Sequence, residues 1–97
     1  MTSTPPDRQR LVLTLYVNGT STRSALALLN LQRLCDEELA GRVELTVVDI
    51  RNDPQALSED RILAVPTLVK RQPPPLRQIV GDLTNRERVL AALDVQP

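Results

Sequence analysis

Residues 64–81 read AVPTLVKRQPPPLRQIVG, and this stretch decides the fold. Residues 64–70 are an apolar run entered through Pro66, a pattern typical of a buried strand. Residues 72–75 hold three prolines, which lack the backbone N–H that a strand interior or a helix needs, so they predict a stiff connection. Residues 76–80 predict another short strand, closed by Gly81. The stretch therefore predicts a hairpin of two short strands.

A strand, a helix and another strand precede this hairpin. Residues 11–17 are an apolar run followed by a turn signal, which predicts a buried strand. Residues 23–40 lack Pro and Gly and are rich in Leu and Ala, so they predict a helix, with Gly41 just past its end. Residues 42–50 alternate and then close on an apolar run, which predicts a second strand. A connection of this length joins parallel strands in a right-handed βαβ unit.

The predicted first helix has one apolar stripe and two leucines outside it. Three residues of the preceding loop could cap it: Thr20, Ser21 or Thr22. At 100° per residue, five residues share the stripe that is expected to face the core: Ser24, Leu28, Leu31, Cys35 and Leu39. Leu26 and Leu29 fall among the polar residues instead, so the helix has more leucine than its core stripe needs.

A short helix is predicted between the second strand and the hairpin. Asp53 is a candidate N-cap and Pro54 a candidate first residue, and the helix is expected to run to about residue 63. The acidic run at residues 58–60 could be paired carboxylates or a metal site. A solvated helix face is the expected explanation.

The last predicted helix covers residues 86–93. Thr84 is the expected N-cap, because Glu87 follows three residues later at capping-box spacing. The complete order is therefore β-α-β-α-β-β-α, which is the order of the thioredoxin fold. Such folds carry a cis-proline where the third strand begins, and Pro66 stands there. A trans proline that merely starts a strand is the open alternative.

Composition excludes several function classes. The 97 residues hold no His, one Cys, one aromatic residue and a net charge of zero. The lack of histidine and the single cysteine exclude a Cys/His zinc site, a catalytic triad with His and an internal disulfide. The zero net charge and the single aromatic residue argue against a nucleic-acid surface. No apolar run approaches the roughly 20 residues that span a bilayer. We expect a polar tail at residues 1–9, a single domain at residues 10–97, and a cytoplasmic protein.

Redox catalysis on this fold needs a low-pKa cysteine at the start of the first helix, usually in Cys-x-x-Cys. Residues 19–22 read Gly-Thr-Ser-Thr there, and Cys35 lies more than three helical turns further on. A thioredoxin-like oxidoreductase is therefore a weaker alternative. We expect no catalytic residue, no cofactor and no metal, and a binding module rather than an enzyme.

The chain resembles the KaiB family of circadian clock proteins over about residues 11–94. The blocks that carry the resemblance are Leu15-Tyr16-Val17, Val48-Asp49, Asn52-Asp53-Pro54, residues 59–64, Pro66-Thr67-Leu68, Pro73-Pro74-Pro75 and residues 81–87. The last three stand in register within a short span and are the most specific.

The resemblance implies a regulatory protein without enzymatic activity. KaiB-like proteins bind the N-terminal lobe of the KaiC ATPase ring, modulate its phosphorylation and output, capture KaiA there, and compete with the histidine kinase SasA. The alternative is an adaptor or signalling module linked to KaiC in an organism that has no oscillator.

The resemblance also implies two folds: a tetrameric ground state, β-α-β-β-α-α-β, and a monomeric thioredoxin-like state that binds KaiC. We expect the thioredoxin-like state. Ala92 stands where clock relatives tend to have glycine, and Gly to Ala favours helix by about 0.8–1.0 kcal/mol. The chain also ends soon after Asp94, without the Tyr- and acid-containing tail of those relatives. The expected fold-determining residues are Pro66, Gly81, Ala92 and Asp94.

Four residues are candidate partner contacts by position in the family: Lys70, Arg77, Leu26 and Leu29. Lys70 and Arg77 match basic family positions, whereas Leu26, Leu29 and Gln78 replace basic residues. The departures weaken electrostatic steering and affect KaiA capture more than KaiC binding. Ordinary solvated charges and single exposed leucines are the alternatives, and Leu26 and Leu29 could instead cover a different partner or a self-association patch.

Overall fold

The computed structural model describes residues 10–39 and 41–95. The tail predicted at residues 1–9 lies outside the described residues. The elements are β1 (Leu11–Val17), α1 (Thr22–Glu38), β2 (Val43–Asp49), α2 (Gln55–Glu59), β3 (Thr67–Gln72), β4 (Arg77–Val80) and α3 (Arg86–Ala92). This order confirms the predicted β-α-β-α-β-β-α sequence of elements. No helix in the described part of the chain has the length and hydropathy needed to cross a membrane.

The four strands form one sheet in the order β2-β1-β3-β4. β1 is parallel to β2, and Leu13 lies opposite Leu45. β3 is antiparallel to both β1 and β4. The β1–β3 register shifts by one residue, so that Leu13 faces Lys70 but Val12 faces Gln72. Arg71 is left between two ladder positions, as in a β-bulge.

Each face of the sheet has its own core. The odd-numbered residues of β1 pack against α1 and α3, in a cluster that includes Leu13, Leu15, Leu31, Leu68 and Leu93. The opposite face buries a smaller cluster of Tyr16, Ala56, Ile62 and Val69 beneath α2 and the loop after it. Leu, Val and Ile supply most of these cores, together with Ala27, Ala56 and Tyr16.

The predicted stripe of α1 is partly wrong. The buried residues of the helix are Ser24, Ala27, Leu31 and Leu34. Leu28 and Cys35, predicted to face the core, are half-buried at its edge, and Leu39 is buried as the C-cap. The core-facing stripe of the helix is therefore shifted toward Ala27 and Leu34, which both belong to the core. Ser21 is the N-cap: its hydroxyl accepts a bond from the Ser24 N–H at 3.3 Å.

The second helix is shorter than predicted and is capped differently. It covers Gln55–Glu59, and its N-cap is Pro54 rather than Asp53. It ends early because Arg61 adopts a left-handed conformation, with φ 56°. The N–H of Arg61 bonds Ser58 O at 3.3 Å and that of Ile62 bonds Leu57 O at 2.8 Å. These two bonds form a Schellman motif, which terminates a helix by satisfying its last carbonyls.

The third helix also differs at its start. Asn85, not Thr84, is the N-cap, and its side chain accepts from the Arg88 N–H at 3.1 Å. The Thr84 hydroxyl donates instead to Asp82, at 2.6 Å. A second Schellman motif ends the helix at Asp94, where φ is 60° and Val95 N–H bonds Leu90 O at 3.2 Å.

The hairpin strands begin later than predicted, at Thr67 and Arg77. The chain before Thr67 turns instead of pairing, and the Thr67 hydroxyl donates to Ala64 O at 2.6 Å. The Val65–Pro66 bond, which the sequence left open, is cis, as are Gln72–Pro73 and Pro74–Pro75.

Candidate partner-binding surface

The start of α1, where a redox enzyme of this fold needs a thiolate, holds hydroxyl and amide groups. Asn18 Oδ1 accepts bonds from the Thr20 N–H and hydroxyl, at 3.1 and 2.8 Å. Ser24 Oγ accepts from the Asn18 N–H at 2.9 Å. Cys35 is half-buried near the other end of the helix, where burial and then Asp36 raise the pKa of its thiol. The Cys35 thiol therefore does not lie at the N-terminus of α1, and its raised pKa disfavours the reactive thiolate.

An ion pair between Asp49 and Arg51 lies next to Gly19, in the turn that precedes α1. Arg51 Nη2 lies 2.7 Å from Asp49 Oδ2, and the side-chain bond from Arg51 is the main cause that lowers the pKa of Asp49 to about 2. A Cβ on Gly19 would collide with the tips of both side chains. Glycine here lets the guanidinium lie flat across the turn.

Lys70 is inside the molecule, contrary to the expectation of a surface charge. Its side chain is 0% exposed, and its Nζ donates to Asp94 Oδ2 at 2.9 Å. Arg77 Nε lies 3.6 Å from the same oxygen, and these cations, Lys70 first, lower the pKa of Asp94. The pair joins β3 to the end of α3. In this conformation the Lys70 amine is buried and cannot contact a partner. Lys70 therefore stabilises the residues beneath the surface and is not itself a contact residue.

The other three predicted contacts are exposed. Arg77 is half-exposed on β4, and Leu26 and Leu29 lie on the outward face of α1, 42% and 43% exposed. They lie on two separate elements. The structure therefore offers one cation and an apolar helix face as possible contacts.

A polar cluster that sequence reasoning missed lies on the other face of the sheet. Arg71 donates to both carboxylate oxygens of Asp60, at 3.0 and 2.5 Å, to Thr14 Oγ1 at 2.8 Å and to the Tyr16 hydroxyl at 3.0 Å. The Tyr16 hydroxyl in turn donates to Asp60. The solvated face predicted at residues 58–60 is therefore wrong for Asp60.

The cluster changes the ionisation of its members. Hydrogen bonds from Arg71, more than those from Tyr16, lower the pKa of Asp60. Burial, and then Asp60, raise the pKa of Tyr16. The four side chains are held as one network that fastens the end of α2 to β1 and β3. Members of this network are up to 57 residues apart in the sequence. It could therefore have been predicted only from the register of the strands.

The element order, strand order and cis-proline define a thioredoxin-like domain without the redox cysteines of that class. The N-terminal domain of Synechococcus elongatus SasA matches with a TM-score of 0.73 and 25% identity, over 99% of this chain and 94% of that chain. Mitochondrial thioredoxin 3 of Saccharomyces cerevisiae matches with a TM-score of 0.71 and 16% identity, over 91% and 80% of the two chains. The second likeness shows the fold alone.

A family model for the KaiB domain matches residues 14–95, and the chain belongs to the KaiB family. The circadian clock protein KaiB3 of Synechocystis sp. is 43% identical over 91 residues, 94% of this chain and 89% of the relative. The circadian clock oscillator protein KaiB of Thermosynechococcus vestitus is 48% identical over 90 residues, 93% and 83% of the two chains. Both relatives are named as clock proteins and not as enzymes.

Proposed function

We propose that this protein is a non-enzymatic clock regulator that binds the N-terminal lobe of a KaiC-type ATPase ring and modulates the phosphorylation and output of the ring. The observation that carries the proposal is the KaiB domain match over residues 14–95. The likeness to the SasA N-terminal domain over 99% of the chain supports it, because the family resemblance implies that KaiB-like proteins compete with SasA for the same ring. On this proposal the protein acts in the cytoplasm, together with the KaiC-type ring that it binds.

The shape of the described surface favours an apolar partner contact with little charge steering. Leu26 and Leu29 lie side by side on the outer face of α1, and Arg77 is the exposed cation among the predicted contacts. A few well-packed side chains near the centre of an interface supply most of its affinity, whereas exposed charges mainly set the association rate. On this proposal, KaiA recruitment relies less on charge than in relatives with basic residues at these positions.

Size-exclusion chromatography with the KaiC homologue of the same organism tests the proposal, in ATP and in ADP. We expect a complex in at least one nucleotide state. Replacing both Leu26 and Leu29 by alanine should weaken it, and Leu76→Ala is the control, an exposed leucine in the β3–β4 connection. Absence of a complex in both nucleotides contradicts the proposal.

Adding two further proteins to the KaiC complex tests the other proposed partners. A KaiA homologue added to the complex should form a larger particle, and the N-terminal domain of a SasA-type kinase should displace this protein, since the two share a fold. In the thioredoxin-like arrangement the free protein should sediment as a monomer. A tetramer would indicate the ground-state fold.

A further inference from the structure

Strand β4 is an outer strand of the sheet, and within the described part of the chain no strand pairs with its outer edge. The backbone N–H of Gly81, just after β4, bonds Pro66 O at 3.0 Å. Bonded and non-bonded residue pairs alternate along an antiparallel ladder, so the odd-numbered residues of β4 bond β3. The N–H and C=O groups of Gln78 and Val80 therefore point away from the sheet, where another strand can bond them.

Two exposed apolar side chains lie along this edge on one face of the sheet. Gln78 points toward α2, because its Nε2 donates to the Asp60 carbonyl at 2.7 Å. Residues two apart in an extended segment share a face, so Leu76 and Val80 lie on either side of Gln78 on that face. Leu76 is 57% exposed and Val80 is 63% exposed. The edge therefore combines unbonded backbone groups with an apolar side chain at each end.

The order of these residues makes the edge complementary to itself. Consider two copies of β4 that run antiparallel about a twofold axis at Gln78. Gln78 then lies opposite its own copy, Leu76 opposite Val80 of the second copy, and Arg77 opposite Ile79 of the second copy. A twofold axis makes each of the last two contacts twice, so all four exposed apolar side chains are covered. No two like charges lie directly opposite each other, which favours the pairing.

The other outer strand, β2, is less suited to pairing. It carries the exposed carboxylate of Glu44 beside the half-exposed Val47, and a charge on an edge strand discourages the approach of another strand. On β4 the charge of Arg77 is balanced, since its Nε lies 3.6 Å from the Asp94 carboxylate. The structure therefore favours β4 over β2 as the edge that accepts a strand.

We propose that the β4 edge is a self-association surface, at which a second copy of this chain adds its own β4 antiparallel and joins the two sheets into one. This goes beyond the proposed function and does not rest on it. The prolines at residues 73–75 have no N–H to donate, so the pairing ends at Leu76. The contact is therefore short, and the dilute protein stays monomeric while the pair forms at high concentration.

Sedimentation velocity of the whole chain, from about 10 µM to about 1 mM, tests the proposal. We expect a monomer at the lower limit and a growing fraction of dimer toward the upper limit. Val80→Lys should weaken the dimer by about tenfold or more, because it places a charge against Leu76 of the second copy. Its melting temperature should match that of the wild type, since Val80 is exposed.

Val47→Lys is the matched control, because it makes the same change at an exposed valine of the other outer strand. It should dimerise like the wild type. A wild type that remains monomeric throughout, or a Val80→Lys variant that dimerises equally well, overturns the proposal. Loss of the dimer in Val47→Lys alone would assign the contact to β2 and overturn it too, as would a tetramer in place of the dimer.

Disulfide cross-linking checks the register. In a Cys35→Ala background, Gln78→Cys should give a covalent dimer with oxidised glutathione, because the two copies of this position lie opposite each other at a Cα separation that a disulfide spans, about 4.4–6.8 Å. Arg77→Cys is the control, since its position lies opposite Ile79 of the second copy and should cross-link far less. Equal cross-linking of the two variants on a non-reducing gel contradicts a twofold axis at Gln78.

Discussion

Replacing Arg71 with methionine should destabilise the fold by about 2 kcal/mol. The guanidinium makes two bonds to Asp60, one to Thr14 and one to Tyr16. Breaking a fully buried ion pair costs about 3–5 kcal/mol, and breaking a surface pair costs about 0.2–1 kcal/mol. The side chains of Arg71 and Asp60 are 34% and 15% exposed, so the expected cost lies between these limits.

Urea unfolding of the wild type, Arg71→Met, Asp60→Asn and the double variant measures this cost and the coupling between the two residues. The double-mutant cycle should give a coupling energy of about 1–2 kcal/mol. Once Arg71 or Asp60 has been replaced, the ion pair is already broken, so replacing the other residue should cost less than it does in the wild type. For a domain of this size the single Arg71 variant should melt roughly 8–16 °C lower. A loss below about 0.5 kcal/mol, or additive effects of the two substitutions, would refute the reasoning.

The pH dependence of stability checks the same pair independently. The folded protein lowers the pKa of Asp60 below its ordinary 3.8, with Arg71 as the main cause. A depressed carboxyl pKa contributes stability above the unfolded value, and that contribution is lost as the pH falls through the folded value. The stability advantage of the wild type over Arg71→Met should therefore be constant at neutral pH and shrink below about pH 4.

Three further predictions concern other parts of the described chain. Asp94→Asn should lower the urea midpoint, because it leaves the buried Lys70 amine without an anion; the same change in a Lys70→Met background should cost less. Gly19→Ala should push Arg51 aside and bring the pKa of Asp49 back from about 2 toward 3.8, measured by NMR titration; an unchanged pKa would contradict the collision. Asn85→Ala should cost about 1 kcal/mol in urea unfolding through the lost N-cap, whereas Thr84→Ala should cost less.

The order of elements was predictable because each one leaves a local mark in the sequence. The apolar run at Leu11–Val17 and the prolines at residues 73–75 act within a few residues, and they placed the first strand and the hairpin turn correctly. Errors arose where local signals competed. Thr84 and Asn85 are both good N-caps, and Asp82 took the Thr84 hydroxyl. Similarly, Pro54 and not Asp53 is the N-cap of α2, which begins at Gln55, and no side-chain cap bond forms there.

The charged contacts of the site were not predictable, because they depend on the register of distant strands. Lys70 pairs with a residue 24 positions away, and Arg71 with one 11 positions away. Nothing near either residue indicates that one points under α3 and the other toward α2. Leu26 and Leu29 were predictable as exposed, since helical period alone assigns them to the outward face.

The two adjacent cations of β3 connect this strand by ion pairs to elements on both faces of the sheet. Lys70 is tied on one face of the sheet to Asp94, beyond α3, and Arg71 on the other face to Asp60, beyond α2. β3 also lies between β1 and β4, so its amides are protected by neighbours along both edges. Stability in a protein is distributed unevenly, and segments open in cooperative units. We therefore expect the amide hydrogens of the two inner strands, β1 and β3, to exchange with solvent last, whereas the outer strand β2 can fray and re-form while both ion pairs stay closed.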